Sequence, residues 1–188
     1  MSVKDYTATP CHRREIKEFV ETHHYSKNIN GISSPYCFKL LDSGDMIGAM
    51  IYGYIGMRGV WKKYVAKETD IIELRRLCCI DDTLKNTESY FIGYTLRWLR
   101  DNTEIKKVIS YADETYNHRG VIYKASNFKH LGMTNKGKVI VYKDKIYHDK
   151  TIRTKKPYAE RIKTALDNGT AHYRDTLQKH IYMYELRN

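Results

Sequence analysis

No apolar run in these 188 residues approaches twenty, so the chain offers no stretch able to cross a bilayer as a helix. The opening residues, Met1-Ser2-Val3-Lys4-Asp5, lack the apolar core of a secretory leader. Cysteine is sparse and scattered: Cys11, Cys37, Cys78 and Cys79 form no C-x-x-C, which argues against a zinc site and a disulfide scaffold and fits a reducing cytoplasm. Internal repeats and low-complexity segments are absent too, so a tail packed on the domain is expected rather than a free linker.

What the chain has in excess is positive charge. With 33 Lys and Arg against 22 Asp and Glu, the net charge is +11 and the pI near 9.4 on 22.2 kDa. A surplus of that size points to a polyanionic partner, nucleic acid first. Seventeen tyrosines fit the same partner, since aromatic faces among cations stack on exposed bases; they equally serve to cap a core. The charge is uneven, with ten Lys or Arg facing five Asp or Glu from residue 145 onward.

The local pattern predicts a mixed α/β fold. Thr9-Pro10 reads as N-cap and first residue of a helix whose buried stripe is Ile16, Phe19 and Val20. Residues 36–41 and 47–54 form a hairpin, and residues 71–80 are the best central strand. Strict alternation along that strand sends Ile72, Leu74 and Arg76 to one face and Ile71, Glu73, Arg75 and Leu77 to the other. A helix over 88–100 follows, then a strand over 108–112, then a helix on which Val121, Ile122, Ala125 and Phe128 recur, stopped by Gly132. A hairpin at 139–148, a helix near 158–166 and a last strand at 181–186 complete the order.

Several side chains stand where chemistry is expected. Asp113 ends a strand and so sits at the mouth of a sheet. His24 and Tyr25, after His23, lie at a helix exit, where a histidine equally serves as a partner of the helix dipole. Arg76, or its neighbour Arg75, is a charge within an apolar strand and needs a partner, unless both arginines reach water at an edge. Lys85, Asn86, Thr87 and Ser89 precede or open a helix whose amides and positive dipole end can hold a phosphate.

The element order, and residues 123–128 followed by Leu131-Gly132-Met133, resemble the GNAT-type N-acetyltransferase fold, in which a helix closes in a Y-x-K-x-x-x-F pattern; here Lys124 follows Tyr123 directly, one position earlier than in that pattern. More closely, the chain resembles the Mom family of bacteriophage DNA-modification proteins. Matching stretches are His23-His24-Tyr25-Ser26, Glu73-Leu74-Arg75-Arg76-Leu77, Lys85-Asn86-Thr87-Glu88-Ser89, Tyr111-Ala112-Asp113 and residues 122–128, five motifs in order. This resemblance implies a single GNAT-like domain over residues 1–150 with a basic extension over 151–188. It implies an enzyme of the cytoplasm, a transferase placing a carbamoylmethyl group on the exocyclic amine of adenine in double-stranded DNA and so shielding phage DNA from restriction. It also implies site roles for His24, Tyr25, Arg76, Asp113, Tyr123 and Ser126. One departure stands out: the glycine-rich pyrophosphate loop of typical acetyltransferases is missing, because residues 81–89 contain no Gly. Acetyl-CoA or another activated donor would then rest on Lys85 and the amides after Asn86.

An adenine amine is a poor nucleophile, so Asp113 is expected as general base, with Tyr123 giving or taking a proton. Alternatively, His24, Tyr25 and Asp113 together are a chemically reasonable set for iron. Two other functions stay open: an ordinary acyltransferase using acetyl-CoA on a protein or small amine, and a non-catalytic DNA-binding protein.

Overall fold

The computed structural model describes residues 2–187. The strands are β1 (Thr7–Cys11), β2 (Tyr36–Asp42), β3 (Asp45–Gly53), β4 (Ile71–Cys79), β5 (Lys107–Asp113), β6 (Lys129–Met133), β7 (Lys138–Tyr142), β8 (Lys145–His148), β9 (Ala171–Asp175) and β10 (Lys179–Glu185). The helices are α1 (Arg13–His23), α2 (Thr87–Asn102), α3 (Val121–Ala125) and α4 (Pro157–Asp167). A seven-stranded sheet runs β1-β2-β3-β4-β5-β10-β6, and a three-stranded sheet runs β8-β7-β9. This is the mixed α/β architecture the sequence predicts.

Thr9 and Pro10 do not open a helix. They lie in β1, paired with Lys39 and Phe38, and a proline without an amide hydrogen is tolerated there because β1 is the edge of its sheet. The helix begins later, where the Glu15 carboxylate accepts the His12 amide at 2.7 Å.

The described residues divide into two compact units: 2–111, 120–132 and 181–187 in one, 112–119 and 133–180 in the other. In the first, α1 covers one sheet face, where Ile16 and Val20 pack with Ile29, Ile51 and Cys78. Each fully buried aliphatic side chain there contributes about 2 kcal/mol. On α2, Phe91, Ile92, Leu96 and Leu99 are buried, and the helix is tied to β3 where the Tyr52 hydroxyl meets Thr95 Oγ1 at 2.7 Å. In the second unit, Ile140 and Ala171 of the small sheet pack under Ile162 and Ala165 of α4.

The helix α3 is short. It stops at Asn127, whose φ of 61° supplies the left-handed turn, and Gly132 lies five residues on, within β6. Asn reaches that conformation more readily than other residues with a Cβ, so it ends the helix before glycine is needed.

Candidate functional site

The site grows from an irregularity in β4. Ile51 pairs with Arg76 but Tyr52 pairs with Leu74, so Arg75 is an extra residue, a β-bulge. An inserted residue reverses the alternation beyond it. Arg76 therefore sits opposite Ile51, on the face that carries Glu73, whereas strict alternation placed it with Ile72 and Leu74. Leu77 joins the face of Leu74. The bulge gathers one carboxylate and two guanidinium groups on a single face.

Glu73 is the centre of that group. Arg75 Nη1 lies 3.1 Å from its Oε2, and the side chain keeps 13% of its surface exposed. Burial pushes the Glu73 carboxyl above the ordinary range, against the lowering effects of Arg75, a hydrogen bond from the Gly56 amide and the charge of Arg76. A carboxylate in that state is a better proton acceptor than an exposed glutamate. Sequence reading passed over Glu73, because only the bulge reveals that it shares a face with Arg76.

Arg76 reaches the loop after α1. Its Nε and Nη2 donate to the Asn28 carbonyl at 3.3 and 3.2 Å, and Nη1 donates to the Arg75 carbonyl at 2.8 Å. In the same loop His24 is buried and His23 exposed, so His24 is the inward histidine of the pair. The Ser26 amide donates to His24 Nδ1 at 3.1 Å, which leaves Nε2 to carry the proton in a neutral ring. Tyr25 lies against it, ring centroids 4.1 Å apart, and is 43% exposed.

Beside Glu73 the two central strands part. Parallel pairing between β4 and β5 runs from Ile71 with Lys107 to Leu74 with Ser110 and ends there, although both strands continue. Tyr123 comes from α3 to this point. The Ser110 hydroxyl donates to the Leu74 carbonyl at 3.1 Å, so in its hydrogen bond with Tyr123 it accepts the phenolic proton. Burial, with smaller contributions from Tyr25, Glu73 and Tyr182, pushes Tyr123 up to about 12, so at neutral pH it is a proton donor. Its helix is fixed by Gly120, at φ 70°, where any Cβ would meet the Tyr182 ring at 2.2 Å.

The residues expected to hold a donor are divided. Asn86, at φ 73°, turns the chain into α2 without glycine, and the buried Thr87 hydroxyl donates to the Leu84 carbonyl at 2.6 Å. Lys85 is exposed. Ser89 lines a cavity of about 220 Å³ together with Gly93, Arg97, Arg100, Ser126 and Tyr184. Gly93 keeps the floor low, and two guanidinium groups make the cavity fit an anionic ligand. Ser126, expected at the site, donates its hydroxyl to the Ile122 carbonyl at 2.8 Å on one wall.

Asp113 belongs to the second unit. Its carboxylate is 2.7 Å from Lys179 Nζ and accepts the Thr115 amide at 3.0 Å, capping the 3₁₀ turn Glu114–Tyr116. Burial raises its pKa, but the bonds from Lys179 and Thr115 outweigh that and hold it below the ordinary aspartate value. Among the described residues no three His, Cys, Asp or Glu side chains gather as a metal site. The iron considered for His24, Tyr25 and Asp113 finds no support in this arrangement, in which the Asp113 carboxylate is engaged by Lys179 and the Thr115 amide. No helix among the described residues is long and apolar enough to cross a membrane.

Comparison with known proteins places these features. A model of the Mom protein family matches residues 5–188. The chain is 33% identical over 121 residues to the methylcarbamoylase mom of Escherichia phage Mu, covering 62% of this chain and 49% of that one. It thus spans about half the length of the curated relative. Similar solved structures include an N-acetyltransferase from Staphylococcus aureus Mu50, at 13% identity and a TM-score of 0.54 over 97% of this chain and 99% of that one. The ribosomal-protein-S5-alanine acetyltransferase from Vibrio fischeri matches at 7% identity and a TM-score of 0.57, over 100% and 97% of the two chains. An aminoglycoside acetyltransferase in complex with coenzyme A and kanamycin matches at 11% and 0.53, over 69% and 87%. The fold is that of the N-acetyltransferases.

Proposed function

The chain belongs to the Mom protein family, and on that premise we propose that it is a DNA-modifying transferase acting on the exocyclic amine of adenine. The group transferred in this reading is of the carbamoylmethyl type, in keeping with the name of the phage Mu relative. The acceptor is double-stranded DNA in the cytoplasm of a host cell, and the purpose is protection from restriction. The net charge of +11 supports a polyanionic acceptor.

The observation that carries the reading is that Glu73, close enough to feel the charge of Arg76 and to act on Tyr123, lies where β4 and β5 part. Glu73 takes the proton that the amine loses as its nitrogen attacks the donor carbon. Arg76 offsets the negative charge that develops on the donor. Tyr123 gives its proton to the leaving group as the bond from the donor carbon breaks. The proton-accepting role expected of Asp113 thus passes to Glu73, and Asp113 keeps the turn after β5 in shape. His24 and Tyr25 wall the site beside Arg76. The cavity holding Ser89, Arg97, Arg100 and Ser126 takes the anionic handle of the donor, which in the coenzyme A class carries phosphates.

Nucleoside mass spectrometry of plasmid DNA from cells making the protein tests this directly. An adenine adduct that disappears with E73Q is expected. Unmodified DNA, with acetyl-CoA consumed on a free amine, would favour an acyltransferase of proteins or small amines. Tight DNA binding without either reaction would leave a non-catalytic DNA-binding protein.

A further inference from the structure

The β3–β4 loop, residues 54–70, carries four cations, Arg58, Lys62, Lys63 and Lys67, and its two carboxylates, Glu68 and Asp70, both lie in its last three residues, with Asp70 3.1 Å from Lys106. The loop is held firmly. The Tyr54 amide donates to Ser33 Oγ at 3.0 Å, and Ile55, Trp61, Tyr64 and Val65 pack on Ile71, Ile109 and Met183. It is also joined to the reacting residues, since the Gly56 amide binds the Glu73 carboxylate and a Cβ on Gly56 would lie 2.7 Å from Arg75 Nη1. On its outer side it leaves two large side chains uncovered, Tyr54 and Met57, each 52% exposed and on either side of that anchor. A well-anchored loop with large side chains next to a site, cations beyond them and its carboxylates confined to the far end has the makings of a nucleic-acid lip.

We propose that the outer side of the β3–β4 loop receives the strand of double-stranded DNA that carries the target base. Tyr54 and Met57 press on the bases beside the target, and Arg58 and Lys63 meet the flanking phosphates. A base inside a duplex cannot reach Glu73, so the target leaves the stack, and an apolar pair at the anchor offsets part of that unstacking. The proposal rests on the reading of DNA as substrate and says which surface of the first unit engages it.

The full chain tests it by fluorescence anisotropy with a labelled duplex over a range of salt. R58E/K63E is compared with R14E/K17E, two exposed cations on α1, because both pairs change the net charge by the same amount and so lose long-range attraction equally. R58E/K63E is expected to bind about tenfold more weakly than the control pair and to flatten the salt slope by roughly two phosphate contacts. Thermal melts confirm folding, and R58Q/K63Q gives an intermediate loss. Y54A/M57A is expected to lower adduct formation on a duplex and to recover on mismatched or single-stranded DNA, where the target is already unstacked. If wild type binds and modifies DNA while R58E/K63E matches R14E/K17E, the surface is wrong and the DNA reading stands. If wild type neither binds nor modifies DNA, or binds an acidic peptide instead, both fall.

Discussion

Glu73 and Arg75 are two residues apart on β4, and their side chains meet at 3.1 Å beside the bulge that brings Arg76 to the same face. The contact keeps a partly buried carboxylate ionisable while burial holds its pKa above the usual 4.5. Replacing Glu73 by Gln keeps the shape and removes the proton acceptor. The expected result is a fall in turnover of about 10²–10⁴ with donor and DNA affinity little changed, read by single-turnover kinetics.

The same carboxyl sets a pH limb. Its raised pKa means that the active, ionised form is lost as pH falls through a value above 4.5. The rate of the wild type should therefore drop on the acid side earlier than an ordinary glutamate would dictate. On the alkaline side Tyr123 keeps its proton to about 12, so no loss traceable to it is expected below pH 10 or so. Y123F should lower turnover by roughly 10–10² without shifting the acid limb.

Arg97 lines the cavity proposed for the donor, apart from Glu73, Arg76 and Tyr123. R97Q should raise the donor KM about tenfold, a loss of about 1.4 kcal/mol, with turnover at saturating donor nearly unchanged. A fall in turnover at unchanged KM would assign the cavity to something other than the donor.

Asp113 supplies a stability test. Its pKa is held below the ordinary 3.8, so its contribution is fully present above that value and is lost as pH falls through the lower folded value. D113N should cost about 1–2 kcal/mol at pH 7, and the difference from wild type should vanish in strong acid. K179Q should reproduce part of the loss, since its partner is 2.7 Å away. Chemical denaturation at a series of pH values measures both.

Much of the order of elements was legible because long periodic segments declare themselves. The apolar stripe of α1 and the apolar residues of β4 were both plain in the sequence. What escaped was set by pairing partners that local patterns do not contain. Pro10 is compatible with a helix start or an edge strand, and its pairing with Phe38 decides. The strands β6 and β9, rich in charged and polar residues, carry almost no apolar signal. Arg76 was singled out correctly as a charge needing a partner, but strict alternation put it on the wrong face, and Glu73 was overlooked for the same reason. The partner of Arg76, the carbonyl of Asn28, lies 48 residues away and has no sequence signature.

The parting of β4 and β5 after Leu74 and Ser110 has a thermodynamic side. A sheet that stops pairing at its middle leaves main-chain groups of β4 facing a gap that a ligand with amide groups can bridge, much as an added strand would. In the proposed reading the donor enters this gap, so its affinity and the folding stability are linked quantities. At a donor concentration one hundred times its dissociation constant the folded state gains about 2.7 kcal/mol. The melting temperature of this protein should accordingly rise with the logarithm of donor concentration, making heat resistance an assay for whichever donor it uses.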